Sequence, residues 1–306
     1  MLKQANWTIA LFASCLLAAC GNSSQPTTTE QQLGLININS KQIDEASGLA
    51  RSSLNPNQLW LHNDSGDGPR LYAVDGLTGD LLQTVMVEGA KAHDWEDMAA
   101  YYLQNQSWLV VGDIGDNRAR RTELSLYGLQ EPTLESQHTA VSWQIRFRYQ
   151  DGPRDAEALA VDIQQQRIYL LSKRDQPPRL YALPLSAKDS QAVAVAEFIG
   201  TINTLPAPTQ QDINEDPRYG KWRSLPTAMD ISPDGQRLLV VTYKDAYLYT
   251  RQANEPWIEA LAREPRVIDL PQMRQTEAGS FSSNPKRGIW AASEQLPAQI
   301  FFYRLN

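Results

Sequence analysis

The stretch His93–Asn117, HDWEDMAAYYLQNQSWLVVGDIGDN, reads as a carboxylate-rich turn, an apolar strand, a polar turn, a second apolar strand and another carboxylate-rich turn. The same order returns along the chain. Asp44–Asp64 runs DEASGLA and then LWLHND; Arg154–Lys173 runs RDAEALAVD and then IYLLSK. Ser224–Lys244 gives SLPTAMDI and LLVVTYK, and Arg274–Glu294 gives RQTEAGSF and IWAASE. Aligned on Ser47, Glu96, Glu157, Thr227 and Glu277, the copies carry acid repeatedly at one address, and Glu45, Asp94 and Asp155 stand two residues earlier.

Between these anchors lie further short apolar runs, Leu71–Asp75 and Leu81–Val87 after the first, Leu124–Leu129 and Val141–Tyr149 after the second. Four strands per repeat is the grammar of a propeller blade. The expected fold is therefore an all-β propeller of five four-stranded blades. After Glu277 the chain has room for only three strands, so Leu33–Ile38 is expected to supply the missing outer strand and close the ring. Asn203–Trp222, polar and proline-containing, is expected to form a loop over one face; a degenerate sixth blade is the alternative.

Composition agrees with a packed β domain. The chain has 306 residues, 42% apolar, with eight Trp and twelve Tyr, so it can bury a full core and favours strands. A formal charge of -7 argues against nucleic acid as a partner and for a cation or a mixed-charge pocket.

The first residues read as an address. Lys3 precedes the apolar stretch Trp7–Ala19, and Leu17-Ala18-Ala19-Cys20 ends it. This resembles the bacterial lipoprotein signal, which implies removal of residues 1–19 and lipidation of Cys20 with acyl chains of the palmitate type. Gly21 after it resembles lipoproteins passed on to the outer membrane of the cell envelope. Residues 20–32 then read as the lipidated cysteine and a Ser/Thr-rich flexible tether, and 33–306 as the propeller. With Cys15 in the signal and Cys20 acylated, no thiol is left for a disulfide, a cysteine-ligated zinc or a cysteine nucleophile.

Innermost strands of a propeller begin near one end of its axis, so one repeat address becomes a ring. Glu96, Glu157, Glu277, Asp94, Asp155 and Glu45 are the candidate metal ligands, an oxygen-only set suited to calcium before magnesium. Asp64, Asp113 and Asp116, in the turns NDSGDG and GDIGDN, are candidate rim or calcium-loop residues, although Asp, Asn and Gly also make tight turns for local reasons. Arg154, Lys173 and Arg223 are candidate anion-binding residues. Together with Lys91, Lys244 and Arg274 they allow another outcome, in which each carboxylate faces its own cation in a structural ion-pair network.

EASGLA, HNDSGD, DWEDMA, GDIGDN and DAEALAVD resemble motifs of bacterial phytase-esterase-like propellers and, more loosely, of the gluconolactonase, regucalcin and paraoxonase group. That resemblance implies a propeller with calcium held by glutamates just before the innermost strands. Glu96, Glu157 and Glu277 match this address; Ser47 and Thr227 depart from it. His62, His93 and His138 form no HExxH motif, and no GxSxG elbow occurs. Two functions stay open: a calcium-dependent hydrolase of phosphate esters or related esters acting on a small anionic substrate, and a non-catalytic surface propeller that binds a peptide, glycan or envelope partner.

Overall fold

The computed structural model describes residue 1, residues 33–284 and residues 287–305; the rest of the expected signal, Cys20 and the tether lie outside them. The described chain is a β-propeller. It opens with β1 (Leu33–Asn37), followed by β2 (Ala46–Arg51), β3 (Gln58–Asn63), β4 (Arg70–Asp75) and β5 (Leu81–Glu88). Next come β6 (Trp95–Leu103), β7 (Gln106–Asp113), β8 (Leu124–Gln130), β9 (His138–Ala140) and β10 (Trp143–Tyr149). The third stretch holds β11 (Ala156–Asp162), β12 (Arg167–Ser172), β13 (Arg179–Pro184) and β14 (Ala194–Thr201). After α1 (Gln210–Glu215) follow β15 (Pro226–Ile231), β16 (Arg237–Thr242), β17 (Asp245–Thr250), α2 (Trp257–Ala260) and β18 (Arg266–Asp269). The last strands are β19 (Thr276–Phe281), β20 (Gly288–Ser293) and β21 (Gln299–Arg304).

Each inner strand, β2, β6, β11, β15 and β19, lies against the next, and β19 returns to β2. Position in the sheet explains composition. Strands β2, β11, β15 and β19 are buried along their whole length, and their sequences, such as ASGLAR and TEAGSF, are rich in small residues. Near the axis there is little room: a Cβ on Gly279 would press into Val241, and one on Gly48 would collide with the His62 ring. The outer strand β10 instead alternates buried and exposed residues, as expected where only one face packs on the core.

Strand β1 pairs antiparallel with β21, so the sheet of β19, β20 and β21 takes its outer strand from the start of the described chain. Two pairings were not legible in the repeat. The outer strands β10 and β14 pair in parallel, fusing two four-stranded units into one eight-stranded sheet, and the short β9 pairs in parallel with β5. Both cover edges that would otherwise expose unpaired backbone groups. The segment expected as one strand from Val141 starts at Trp143, where its pairing with Gly128 on β8 begins. Asn203–Trp222 contributes α1 and a 3-10 turn at Gly220–Trp222, and no strand.

Candidate functional site: an acidic channel mouth

The five anchor residues share a local cause. In every inner strand the register with its neighbour shifts at the anchor, between Ala46 and Gly48, Trp95 and Met98, Ala156 and Ala158, Pro226 and Ala228, and Thr276 and Ala278. A β-bulge carries an unpaired extra residue and re-aims its side chain. Repetition of the bulge thus gathers the anchors at one end of the axis.

Two groups of carboxylates result. Oxygens of Asp64, Asp94 and Glu96 lie within 4.8 Å of one another, as do those of Glu96, Asp155 and Glu157. Glu96 belongs to both. Gly115 faces this point, where a Cβ would collide with the Glu96 and Asp94 carboxylates, so the absence of a side chain makes their approach feasible. Asp64, a candidate rim or calcium-loop residue, is thus one of the cluster.

Ser47 and Thr227, the anchors without acid, do different work. Ser47 Oγ donates to the Glu96 carbonyl at 2.7 Å, and Thr227 Oγ1 donates to the Thr276 carbonyl at 2.9 Å. Each ties its inner strand to the next.

Cations reach only part of the acid. Lys173, buried, forms an ion pair with Glu157, and its ammonium lies 4.9 Å from the centre of the Tyr243 ring. Burial would lower the Lys173 pKa, but Glu157 and Glu277 beside it hold it well above the usual lysine value. Arg174 binds Asp155 at 2.5 Å, and Arg121 binds Asp113 at 2.7 Å. Among the described residues no salt bridge reaches Asp64, Asp94 or Glu96. Burial, then the neighbouring Glu157 and Asp64, push the Glu96 carboxyl well above its ordinary range. Asp94 is raised to about 6 by burial and Asp64, and Glu294 to about 7 by burial, Glu277 and Asp64.

The remaining sequence candidates fall elsewhere. Glu277 is buried beside Lys173 and Tyr243 rather than within either group. Glu45 is exposed, and its backbone carbonyl accepts from Asp64 N at 2.8 Å. Asp116 holds its loop together, its N–H donating to Asp155 at 3.0 Å and its carboxylate accepting from Arg121 N at 2.6 Å. Arg154 is engaged by Asp151 at 3.0 Å and the Tyr181 hydroxyl at 2.9 Å; Arg223 is engaged by Glu215 at 2.8 Å. Of the three candidate anion-binding residues, Lys173 alone faces the acid groups. Trp95 and His62 are core residues packed edge to face at 5.3 Å. Burial lowers the His62 pKa to about 4, so its ring is neutral near pH 7.

Deeper in the axis lies a network that repeat reasoning missed. Asp97 accepts from Leu159 N at 2.8 Å and Met229 N at 3.0 Å, joining β6 to β11 and β15. Asp230 accepts from Phe281 N at 2.9 Å and from Arg51 at 2.7 Å, joining β15 to β19 and β2. Arg51 also donates to the Ala100 carbonyl at 2.8 Å, returning to β6. Beyond Arg51 the far end of the axis opens into a cavity of about 350 Å³, lined in part by Tyr101, Tyr102, Asp162 and Ser232.

No protein-family model and no curated protein matches the chain. Among solved structures it resembles the major allergen Mala s 1 of Malassezia sympodialis, with TM-score 0.55 and 12% identity over 89% of this chain and 96% of that one. A looser likeness, TM-score 0.45 and 10% identity over the same shares, is to the PQQ-bound aldose sugar dehydrogenase of Streptomyces coelicolor. Both neighbours are propeller-like. At such identities the first likeness speaks for the fold alone, and the second is too loose to bear on this chain.

Proposed function

We propose that the acidic mouth binds a divalent cation, calcium by its donor set, and that the protein is an extracytoplasmic propeller hydrolysing phosphate esters or related esters there. The observation that carries this reading is the convergence of Asp64, Asp94 and Glu96 with no Lys, Arg or His in ion-pair reach among the described residues. Like charges so close are costly unless protonated or neutralised. A hard cation taking oxygen ligands fits them, and Gly115 leaves the space. When bound, such an ion would polarise a phosphoryl or ester oxygen.

The chain's own residues supply the rest of the argument. Lys173 neutralises the Glu157 side, so the cation belongs on the Asp64, Asp94 and Glu96 side. Glu294, with a pKa near neutrality, is able to take up or give a proton at the mouth. The phytase-esterase-like motifs agree with this reading, and we read the ring as five blades. The LAAC sequence ending at Cys20 supports export, lipidation and anchoring in the bacterial envelope.

Calorimetric titration with calcium tests the proposal. The protein should bind with measurable heat and gain about 2.7 kcal/mol of stability at a hundredfold excess over Kd. Glu96→Gln should abolish both effects and keep the fold. Hydrolysis of generic phosphomonoesters and lactones, dependent on the ion, would support the enzyme; absence of calcium heat would leave a non-catalytic binding propeller.

A further inference from the structure

The insertion between β14 and β15 is built as a rigid shelf at the rim of the mouth. Thr209 caps α1, its hydroxyl donating to Asp212 at 2.6 Å and accepting from Asp212 N at 3.1 Å. Buried Asp212 also accepts from Lys244 at 2.9 Å. Lys244 follows Tyr243, whose ring faces Lys173 within the mouth, so the shelf is fastened to the site by adjacent residues. At Gly220 the chain turns back so tightly that a Cβ would strike the Asp212 carbonyl.

This shelf presents two aromatic rings to solvent. Tyr219 is 43% exposed and Trp222 38%, whereas Trp60, Trp95, Trp257 and Trp290 are at most 3% exposed. Their centroids lie 5.4 Å apart at 53°. Arg218 stands over Tyr219 at 4.8 Å and Lys221 over Trp222 at 5.4 Å. Neither cation forms a salt bridge among the described residues, whereas Arg223 and Lys244 are both bound to acids. Two exposed rings, each with a cation over it that has no acid in ion-pair reach among the described residues, on a backbone held by a capping box, are a pre-formed surface.

We propose that this shelf binds an acidic saccharide, a sugar ring bearing carboxylate or phosphate. The C–H face of a sugar ring is weakly positive and matches the negative face of an aromatic ring. Its anionic group meets Arg218 and Lys221. An all-apolar partner would leave both cations unanswered, and a neutral sugar would use only the rings. The site needs no metal and stands apart from the cation reading of the mouth.

The test measures binding of trigalacturonate, glucose 6-phosphate and maltotriose to the purified protein, by saturation-transfer NMR and calorimetry, in chelator. At least one of the two anionic sugars should bind, about tenfold more tightly than maltotriose, and which one binds separates carboxylate from phosphate recognition. Trp222→Ala should weaken that binding about tenfold at unchanged melting temperature, in line with the loss of one stacking ring. Arg218→Gln with Lys221→Gln, which leaves both rings in place, should bring the anionic sugar down to the affinity of maltotriose. Failure of both anionic sugars at millimolar concentration, equal affinity for maltotriose, or binding unaltered in the Arg218/Lys221 variant would overturn the proposal. Saccharide binding that persists in chelator while calcium gives no heat would keep the shelf and sink the mouth reading alone.

Discussion

Asp97→Ala should be among the most damaging single substitutions in the protein, although Asp97 lies in no repeat address. Its carboxylate, fully buried, receives the N–H groups of Leu159 and Met229 from two other inner strands at 2.8 and 3.0 Å. Removing it orphans both of these donors and the Met98 N–H as well, each at a cost of about 1–3 kcal/mol, so about 3–9 kcal/mol together. At about 2–4 °C per kcal/mol for a large domain, this lowers Tm by about 6–36 °C. Asp97→Asn is the informative partner. Both cross-strand bonds use the same oxygen, Oδ2, which an amide oxygen can replace, while only the N–H of Met98 loses its acceptor. Burial raises the Asp97 pKa well above its ordinary 3.8 despite the backbone N–H groups. A raised carboxyl contributes stability that is complete below the unfolded value and lost as pH rises towards the folded one. The asparagine variant, free of that titration, should therefore melt within a few degrees of the parent and lose less stability between acid and neutral pH. Circular-dichroism melts across that range decide the matter; an alanine variant as stable as the parent, or an asparagine variant as damaged as alanine, would refute the axial role.

Asp94 and Glu294 titrate near 6 and 7 when folded, above their ordinary values, so in chelator the protein should lose stability as pH rises from about 4 to 7, and calcium should flatten that slope. A melting profile insensitive to pH in chelator would count against surplus charge at the mouth. Lys173→Met leaves Glu157 and Glu277 without their buried cation and should cost about 3–5 kcal/mol at neutral pH by chemical denaturation, part of it recovered in calcium. Deleting residues 33–37 strips β21 of its outer partner and should lower Tm far more than deleting residues 22–32; equal losses would show that the β1–β21 pairing contributes little.

The fold was legible because a propeller repeats both its strands and its turns. Alignment on Ser47, Glu96, Glu157, Thr227 and Glu277 located inner strands that follow one another around the ring, and the shortage of strands after Glu277 pointed to Leu33–Ile38, of which Leu33–Asn37 is the strand. The bulge that gives the address its meaning was not legible, since a register shift leaves no mark in composition. Asp97 illustrates the consequence. It follows Glu96 directly and would face the opposite side of an unbulged strand, yet it lies on the axis with Leu159 and Met229. Basic residues were harder still. Arg154 and Arg223 stand close in sequence to anchors, but their long side chains reach Asp151 and Glu215, whereas Lys173, across a hairpin, reaches Glu157. Sequence proximity to an address fixes a backbone position, not the direction in which four rotatable bonds carry a charge.

Charge placement along the axis gives the mouth its character. Arg51 is a buried cation on an inner strand, and in another arrangement it could have served the acid groups. Instead Asp230 and the Ala100 carbonyl occupy it, toward the far cavity. Asp97 is satisfied by backbone N–H groups and draws on no cation. Arg51 is thus committed to Asp230, and Lys173 to Glu157, before Asp64, Asp94 and Glu96 are reached. Protonation, or a cation from outside, is what remains to these three among the described residues. Protonation weakens as pH rises above the value near 6 that Asp94 takes, so the demand for an external cation should grow across the neutral range. Calcium affinity rising steeply between pH 5 and 7.5 would carry that signature, about tenfold per unit for each proton displaced. An affinity flat across this interval would mean that neither Asp94 nor Glu96, both raised by burial, yields a proton to the ion, and would refute the mouth as its site.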